Sequence, residues 1–188
     1  MVGTVTAACA EDPAWAFLMD DEYERVAPEF AGGLFDLRVV SGDVWVSDDL
    51  ASVAMWDSPS GGDDRPRRAE RVWAHYRAIA GDQAYERLLA YNDALAAATP
   101  GDRYWYLGVL ATHPTRQGEG LATAVLAPVL GEADRGGMAC CLKTATETNR
   151  RFYERRGFIE PTDFLLPTGQ RMWWLRRPPS PPKHLSRN

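Results

Sequence analysis

The 188 residues of the chain suffice for one domain with its own core, without disulfides or a structural metal. Hydrophobic residues make up 45% and charged residues 25%, and the net charge of −5 argues against a nucleic-acid-binding face. Three cysteines cannot all pair, and the sequence shows neither a signal peptide nor an apolar stretch of roughly 18 residues that would cross a membrane. We therefore expect a cytoplasmic protein that binds neither nucleic acid nor membrane.

The first half of the chain is predicted to contain one β-hairpin and, after it, two helices. Residues 44–46 and 51–56 are apolar runs that flank a short Asp-rich turn, which is the pattern of a hairpin. Residues 66–80 and 82–97 each place apolar side chains at helical spacing, with a glycine between them. Residues 1–10 contain no strand with a connection, so the chain is expected to begin within or near a helix.

The second half alternates between strands and helices. Strands are predicted at 104–111, at 138–144, near Phe158 and at 171–175, and helices at about 120–133 and 149–155. Because a helix follows each of the first two strands, these strands should lie parallel. The residues 178–188 are Pro-rich and polar, and they are predicted to form a disordered tail after a single domain over residues 1–177.

A glycine turn, Gln117-Gly118-Glu119-Gly120-Leu121-Ala122, joins the strand at 104–111 to the next helix. Two glycines remove side chains where a backbone must approach a ligand closely, and the helix beginning there presents unpaired N–H groups. Such a helix end binds a pyrophosphate without a dedicated lysine. Thr123 stands where a dinucleotide fingerprint has its third small residue, and the Gly-Lys-Ser/Thr of a P-loop is absent. Taken alone, the turn also fits a plain tight turn.

The second half of the pattern is Thr146-Glu147-Thr148-Asn149-Arg150-Arg151-Phe152-Tyr153-Glu154-Arg155-Arg156-Gly157-Phe158, about 26 residues after Gly120. Together with the glycine turn it resembles the GCN5-related N-acetyltransferase (GNAT) superfamily over about residues 34–176. The resemblance implies an α/β (α+β) GNAT fold, with a mixed central sheet, a parallel strand pair that splays apart, and helices on both faces. Within the superfamily, residues 44–49, 53–56 and 152–158 look similar to puromycin N-acetyltransferase and its actinobacterial relatives.

The resemblance also implies a site for acetyl-CoA. In the family, the pantetheine arm pairs with the first strand of the splayed pair like an added strand. The residues that match the family's cofactor positions are Leu110, Ala111, Thr112, Arg116, Gln117, Gly118, Glu119, Gly120, Leu121, Ala122, Thr123, Asn149, Phe152 and Tyr153. Three of them have an alternative interpretation: Arg116 as an exposed, solvated arginine, Asn149 as a helix cap, and Tyr153 as a helix tyrosine that packs on the core.

Tyr153 matches the family tyrosine that protonates the departing thiolate. A phenol with a pKa of about 10 stays protonated at neutral pH and can donate to a thiolate whose conjugate acid has a pKa of about 8.5. The base that deprotonates the amine is not identified, because the strand at 104–111 carries no carboxylate; His113 and Glu147 are the candidates. Lys143 stands where the likeness to the puromycin enzyme leads us to expect glutamate, which leaves a carried-over base in doubt.

Family substrate sites are built from the early helices, the loop before them and the last strand pair. This points to Trp15, Trp56, Tyr76 and Trp174 as pocket residues, with core packing the alternative for each. The family normally opens with a strand before the first helix, so the sheet is either one strand short or its true start lies upstream. A missing strand would expose an edge that dimerisation covers, so a monomer and a homodimer both remain open.

The leading hypothesis is transfer of an acetyl group from acetyl-CoA to a primary amine of a small molecule, by direct attack through a tetrahedral intermediate. The alternatives are a peptide or protein amine as acceptor, and an acyl-CoA-binding regulatory module that has lost catalysis. A covalent route would need Cys140 or Cys141, which stand early in a strand beside no evident base and are expected to be structural. No metal site is predicted.

Overall fold

The structure is a computed structural model that describes residues 1–60, 64–99 and 101–179. The helices are α1 (Val2–Cys9), α2 (Pro13–Met19), α3 (Tyr23–Val39), α4 (Arg65–Ala98), α5 (Leu121–Arg135) and α6 (Glu147–Glu154). The strands are β1 (Val44–Val46), β2 (Ser52–Asp57), β3 (Tyr104–Thr112), β4 (Ala139–Thr144), β5 (Glu160–Leu165) and β6 (Arg171–Arg177). Short 3-10 turns occupy Asp20–Glu22 and Pro114–Arg116.

The strands of the described chain form one sheet in the order β1-β2-β3-β4-β6-β5. Strands β3 and β4 are parallel, and the other neighbouring pairs are antiparallel. A parallel pair needs a long crossover connection, and α5 supplies it. The predicted α/β protein with a mixed central sheet is therefore confirmed.

The two parallel strands pair over only part of their length. Their register ends where Leu107 lies opposite Leu142. Beyond that point β3 stays paired with β2 as far as Thr112, and β4 with β6 as far as Thr144. The two strands thus separate, and a gap opens between them toward their carboxyl ends.

A bulge in β3 lies where the separation begins. The register between β2 and β3 shifts between Met55 and Trp56, so Gly108 is an extra residue on β3. A Cβ atom at Gly108 would collide with the guanidinium of Arg38, which reaches the bulge from α3 and is buried there. The absence of a side chain at this glycine lets an arginine lie against the strand.

Helices cover both faces of the sheet. α1 and α3 pack on one face, where Val53 and Met55 of β2 belong to the core, and α5 packs on the other, against Ala54 and Trp56. Alternate residues of a strand point to opposite faces, and every residue of β2 is buried, as expected for a strand covered on both sides. A third core joins α2, α3 and α4 beside the sheet.

The element boundaries agree with the sequence predictions in most places. α4 contains a break at Gly81, where φ is +85°, so it comprises the two helices that were expected. Residues 1–43 are described and contain helices but no strand. The strand expected near Phe158 begins two residues later. Of the predicted tail, residues 180–188 lie outside the described residues. Within the described ranges no helix combines the length and apolar character that crossing a bilayer requires.

Candidate active site

The glycine turn between β3 and α5 has the backbone that its sequence predicts. The φ angle is +85° at Gly118 and +82° at Gly120, a left-handed region that glycine adopts without strain. Gly120 is the N-cap of α5, and no side chain caps this helix end. The first N–H groups of the helix and its partial positive charge are therefore available to an anion.

A cavity of about 450 Å³, here called the cofactor cavity, opens beside this turn. Thirteen of the fourteen predicted cofactor residues line it, and Glu119 is the exception. Those thirteen are Leu110, Ala111, Thr112, Arg116, Gln117, Gly118, Gly120, Leu121, Ala122, Thr123, Asn149, Phe152 and Tyr153. The structure thus brings the turn, the end of β3 and one face of α6 around a single space.

Arg116 lies at the rim of the cofactor cavity between two carboxylates. Its guanidinium contacts Glu119 at 2.8 and 2.7 Å and Asp49 at 2.5 Å. These acids raise the pKa of Arg116, while hydrogen bonds from Ser47, from the backbone of Ala51 and from Arg116 lower the pKa of Asp49 to about 2. The exposed ion pairs join the glycine turn to the β1–β2 turn, and Arg116 remains partly exposed to solvent beside the cavity.

Arg156 is a second arginine at the cofactor cavity, and it is not among the residues predicted from the sequence. Its Nη2 donates to Oγ1 of Thr123 at 2.5 Å, its Nη1 donates to the carbonyl of Phe152 at 2.8 Å, and its guanidinium lies 3.5 Å from the ring centre of Phe152. Burial lowers the pKa of Arg156, but a guanidinium remains charged in proteins. A fixed positive charge therefore lies beside the start of α5.

Two residues of α6, Asn149 and Tyr153, lie one turn apart at the cofactor cavity. Thr146 caps the helix by accepting a hydrogen bond from the backbone N–H of Asn149 at 3.2 Å, so the Asn149 side chain is not the cap. The Tyr153 ring packs against Phe152 and Phe158 and is 8% exposed. Burial raises the pKa of its phenol, which therefore stays protonated at neutral pH, as an acid must.

A second cavity, here called the acceptor cavity, occupies the gap between β3 and β4. Its volume is about 260 Å³, and residues of α1, α2, α3 and α4 form its wall on one side of the sheet. Three residues, Leu110, Asn149 and Tyr153, line both cavities. The two spaces therefore meet where the parallel strands have separated.

Charged side chains from five elements or their borders line the acceptor cavity. Arg38 holds Asp57 through Nε at 2.8 Å and Nη2 at 2.9 Å, and Arg65 contacts the same carboxylate at 2.6 Å. Asp12 caps α2 by accepting two backbone N–H bonds, and burial raises its pKa. Lys143 lies on the β4 side. No sequence spacing joins these residues, so only the fold shows that they share a space.

The predicted acceptor-pocket residues separate into two groups. Trp15 lines the acceptor cavity. Trp56 is 0% and Tyr76 2% exposed, and both lie in hydrophobic cores, where the Tyr76 hydroxyl donates to the Leu18 carbonyl at 3.1 Å. Trp174 stacks on Tyr106, with ring centres 5.6 Å apart, and is not among the described residues that line the acceptor cavity. Three of the four residues thus pack in a core or against another ring, which was the alternative interpretation.

Neither predicted base lies at the junction of the two cavities. The Nδ1 atom of His113 pairs with Oγ1 of Thr115 at 2.8 Å. Glu147 is exposed and pairs with Arg150 and Arg151 on its own helix. Both residues are absent from the described linings of the two cavities.

A model of the acetyltransferase (GNAT) domain family matches residues 70–160 of the chain. The matched segment includes the glycine turn, the separated strands and α6. The chain contains a GNAT acetyltransferase domain. The prediction of an acetyltransferase of this family is therefore confirmed at the level of the domain.

The proteins that are similar to this chain carry the names of different acetyltransferases. The tRNA(Met) cytidine acetyltransferase TmcA of Citrobacter koseri is 30% identical over 129 residues, which is 68% of this chain but only 17% of that protein. An uncharacterized N-acetyltransferase of Schizosaccharomyces pombe is 23% identical over 87% of this chain and 71% of its own. The structure of a histone acetyltransferase HPA2 and related acetyltransferase from Corynebacterium glutamicum shares the fold with a TM-score of 0.60 and 22% identity, over 97% of this chain and 91% of its own.

Proposed function

We propose that the protein transfers the acetyl group of acetyl-CoA to a primary amine of a small molecule by direct attack. The observation that carries this proposal is the meeting of the cofactor and acceptor cavities at Leu110, Asn149 and Tyr153, at the point where β3 and β4 part. A thioester carbon at this junction is accessible from the acceptor side while the rest of the cofactor extends toward the glycine turn.

Backbone groups on the cofactor side suit the pyrophosphate and the pantetheine arm of coenzyme A. The pyrophosphate binds at the start of α5, where the N–H groups are uncapped, with Arg156 adding positive charge. The pantetheine arm lies along Leu110–Thr112, because β4 has left β3 there and the backbone groups facing the gap lack a strand partner. Asn149 holds the arm from the opposite side of the cavity.

The reaction forms one C–N bond and breaks one C–S bond. A neutral amine attacks the thioester carbon, and backbone N–H groups at the junction stabilise the tetrahedral oxyanion. When the intermediate collapses, the thiolate takes a proton from Tyr153, whose buried phenol is protonated at neutral pH. The route needs no covalent enzyme intermediate.

The size of the acceptor cavity favours a small acceptor. A space of about 260 Å³ with a helical wall admits a small amine more readily than a folded partner. The name of the Corynebacterium relative keeps a protein amine as the alternative acceptor, and a regulatory module that binds acyl-CoA is the non-catalytic alternative. The closer likeness to puromycin N-acetyltransferase, the cytoplasmic location, the single-domain organisation and the choice between monomer and homodimer stay predictions.

An amine panel assayed with acetyl-CoA, with free thiol as the readout, tests the proposal. We expect at least one small amine to release thiol, and Tyr153→Phe to lower kcat by about 10²-fold or more without changing the Kd for acetyl-CoA. Tyr85→Phe is the matched control, since Tyr85 packs on Arg77 away from both cavities. Tight binding of acetyl-CoA, without release of its thiol in the presence of any amine of the panel, would establish the regulatory module instead.

A further inference from the structure

Lys143 is the first residue of β4 beyond the last β3–β4 pair, at the point where the two strands separate. It lines the acceptor cavity together with Asn149 and Tyr153, the residues that reach the cofactor cavity. Its Nζ lies 4.1 Å from the ring centre of Tyr91 and 5.9 Å from that of Tyr106. Within the described part of the chain Nζ has no hydrogen-bond or ion-pair partner, so it is free to meet a ligand.

The surroundings of Lys143 favour the neutral amine at physiological pH. Burial, followed by repulsion from Arg38, lowers its pKa to about 7, and attraction to Asp57 and Asp12 only partly offsets this. Asp57 is a weak counter-charge because Arg38 and Arg65 already neutralise it. The face of Tyr91 attracts an ammonium and acts in the same direction as the two acids. The titratable and charged groups that face the cavity are Cys9, Asp12, Arg38, Asp57, Arg65, Tyr91, Tyr106 and Tyr153.

We propose that Lys143 Nζ is the general base that takes the proton from the ammonium form of the acceptor. The inference rests on the proposed acetyl transfer and supplies the base for which the sequence suggested only His113 and Glu147. Asp12 is the other candidate in the cavity, but its Oδ1 already accepts two backbone N–H bonds at the start of α2. Lys143 has no such commitment.

The protons balance over the whole reaction, in which an ammonium ion becomes an amide. Lys143 Nζ takes one proton from the ammonium, and the free amine then forms the C–N bond. As the C–S bond breaks, the thiolate takes the Tyr153 proton, and the second proton of the amine nitrogen returns to the phenolate. Lys143 later releases its proton to solvent. One ammonium ion and one thioester thus give one amide, one thiol and one proton.

The first test measures Lys143 directly, without turnover. The sequence contains two lysines, Lys143 and Lys183, so protein labelled with isotope at the lysine Cε gives two NMR signals. We expect one signal to titrate near pH 7 and to vanish in Lys143→Arg, which assigns that signal to Lys143. A Lys143 signal that titrates near the ordinary lysine value would overturn the inference.

The second test compares two classes of acceptor. An aliphatic amine with a pKa of about 10 needs a base, whereas an alkoxyamine with a pKa of about 5 is already neutral at assay pH. We expect Lys143→Met to lower kcat/KM for the aliphatic amine by about 10²-fold and to leave the alkoxyamine much less affected. The wild-type limb near pH 7 should disappear from the aliphatic pH profile, while the Kd for acetyl-CoA stays unchanged.

Two further variants decide between roles for this position. Lys143→Arg keeps a positive charge that cannot accept a proton, so it should be as impaired as Lys143→Met; restored activity would overturn the base role in favour of a purely electrostatic one. Asp12→Asn keeps the helix cap, and a loss confined to this variant would transfer the role to Asp12. Arg77→Met, at an exposed ion pair on α4, is the control. If the wild type acetylates neither acceptor class, the proposed function fails, whereas equal activity of Lys143→Met overturns only the inference about Lys143.

Discussion

Gly108 shows how one residue type is fixed by a neighbour distant in sequence. A Cβ there would meet the Arg38 guanidinium, and that group is held in place by Asp57 and by the Leu34 carbonyl. The requirement for glycine comes from close approach and not from a left-handed φ angle. An isolated glycine in a predicted strand indicates a bulge only in general terms, so the contact with Arg38 was not predictable from the sequence.

The three cysteines are predicted to be inert in the folded protein. Burial raises the pKa of Cys9 and Cys140 to about 12 and that of Cys141 to about 11, so roughly one thiol in a thousand or fewer is ionised at about pH 7.5. We expect iodoacetamide at that pH to leave the native protein and its acetyl transfer unchanged, as measured by intact mass and thiol release.

The unfolded chain is the control for this experiment, because all of its cysteines should be alkylated under the same conditions. Alkylation of a single cysteine that acetyl-CoA prevents, with loss of turnover, would instead support the covalent route. Cys9 would be the expected site of that alkylation, since it lines the acceptor cavity.

The sequence predicted Tyr153 but not the surroundings of Lys143, and the reason is physical. Tyr153 belongs to a local motif on one helix, so its place relative to Asn149 follows from helical spacing. The charged groups that shift the pKa of Lys143 come from the start of α2, from α3 and from β2. They lie between 86 and 131 residues away in the chain. Electrostatic effects of that kind depend on the tertiary fold.

Among the elements, the start of α5 provides the sharpest test of cofactor binding. Gly120→Ala places a Cβ at a φ angle of +82°, which costs roughly 1–2 kcal/mol, and adds a methyl group where the phosphates approach. Gly137→Ala is the matched control, because Gly137 also has a positive φ, +63°, and no atom lies near its added Cβ.

Both alanine variants should lower Tm by similar amounts, since both add left-handed strain. Only Gly120→Ala should also raise the Kd for acetyl-CoA, by about tenfold or more, which corresponds to roughly 1.4 kcal/mol. Calorimetric titration of the two variants measures this. Equal affinities in both would show that the phosphates do not bind at this helix end.

Most element types were predictable, whereas caps and strand ends were not. Helical periodicity and the glycine at position 81 correctly divided α4 into two helices. The cap of α6 is Thr146, although Asn149 was equally suitable by residue type. A cap depends on backbone angles at one residue, and residue preferences alone do not determine them.

At the scale of the whole molecule, bound acetyl-CoA should contact β3, α5 and α6 together and thereby stabilise the folded state. At a concentration of 100 times its Kd, the ligand adds about 2.7 kcal/mol to the free energy of unfolding. For a chain of this length, that predicts a rise in Tm of roughly 5 to 10 °C. Thermal melts with and without acetyl-CoA measure the shift, and adenosine alone is the control because it lacks the pyrophosphate and pantetheine contacts.

The fold class and the mixed sheet were predictable because they depend on the order of strands and helices. The acceptor cavity was not, since α1 to α4 each contribute a few residues to it and none of these helices carries a motif. Three of four aromatic residues chosen for the pocket pack elsewhere, because large aromatic side chains are equally suited to a core.

The two cavities are encoded in largely different parts of the chain. Apart from Ala8, the cofactor cavity is lined by residues between 110 and 156, whereas the helical wall of the acceptor cavity comes from residues between 9 and 95. Under the proposed function, substitutions in the early helices should therefore change which amine is accepted without disturbing how acetyl-CoA is bound. Exchange of those helices between homologues, with their core residues kept, would test whether they select the acceptor.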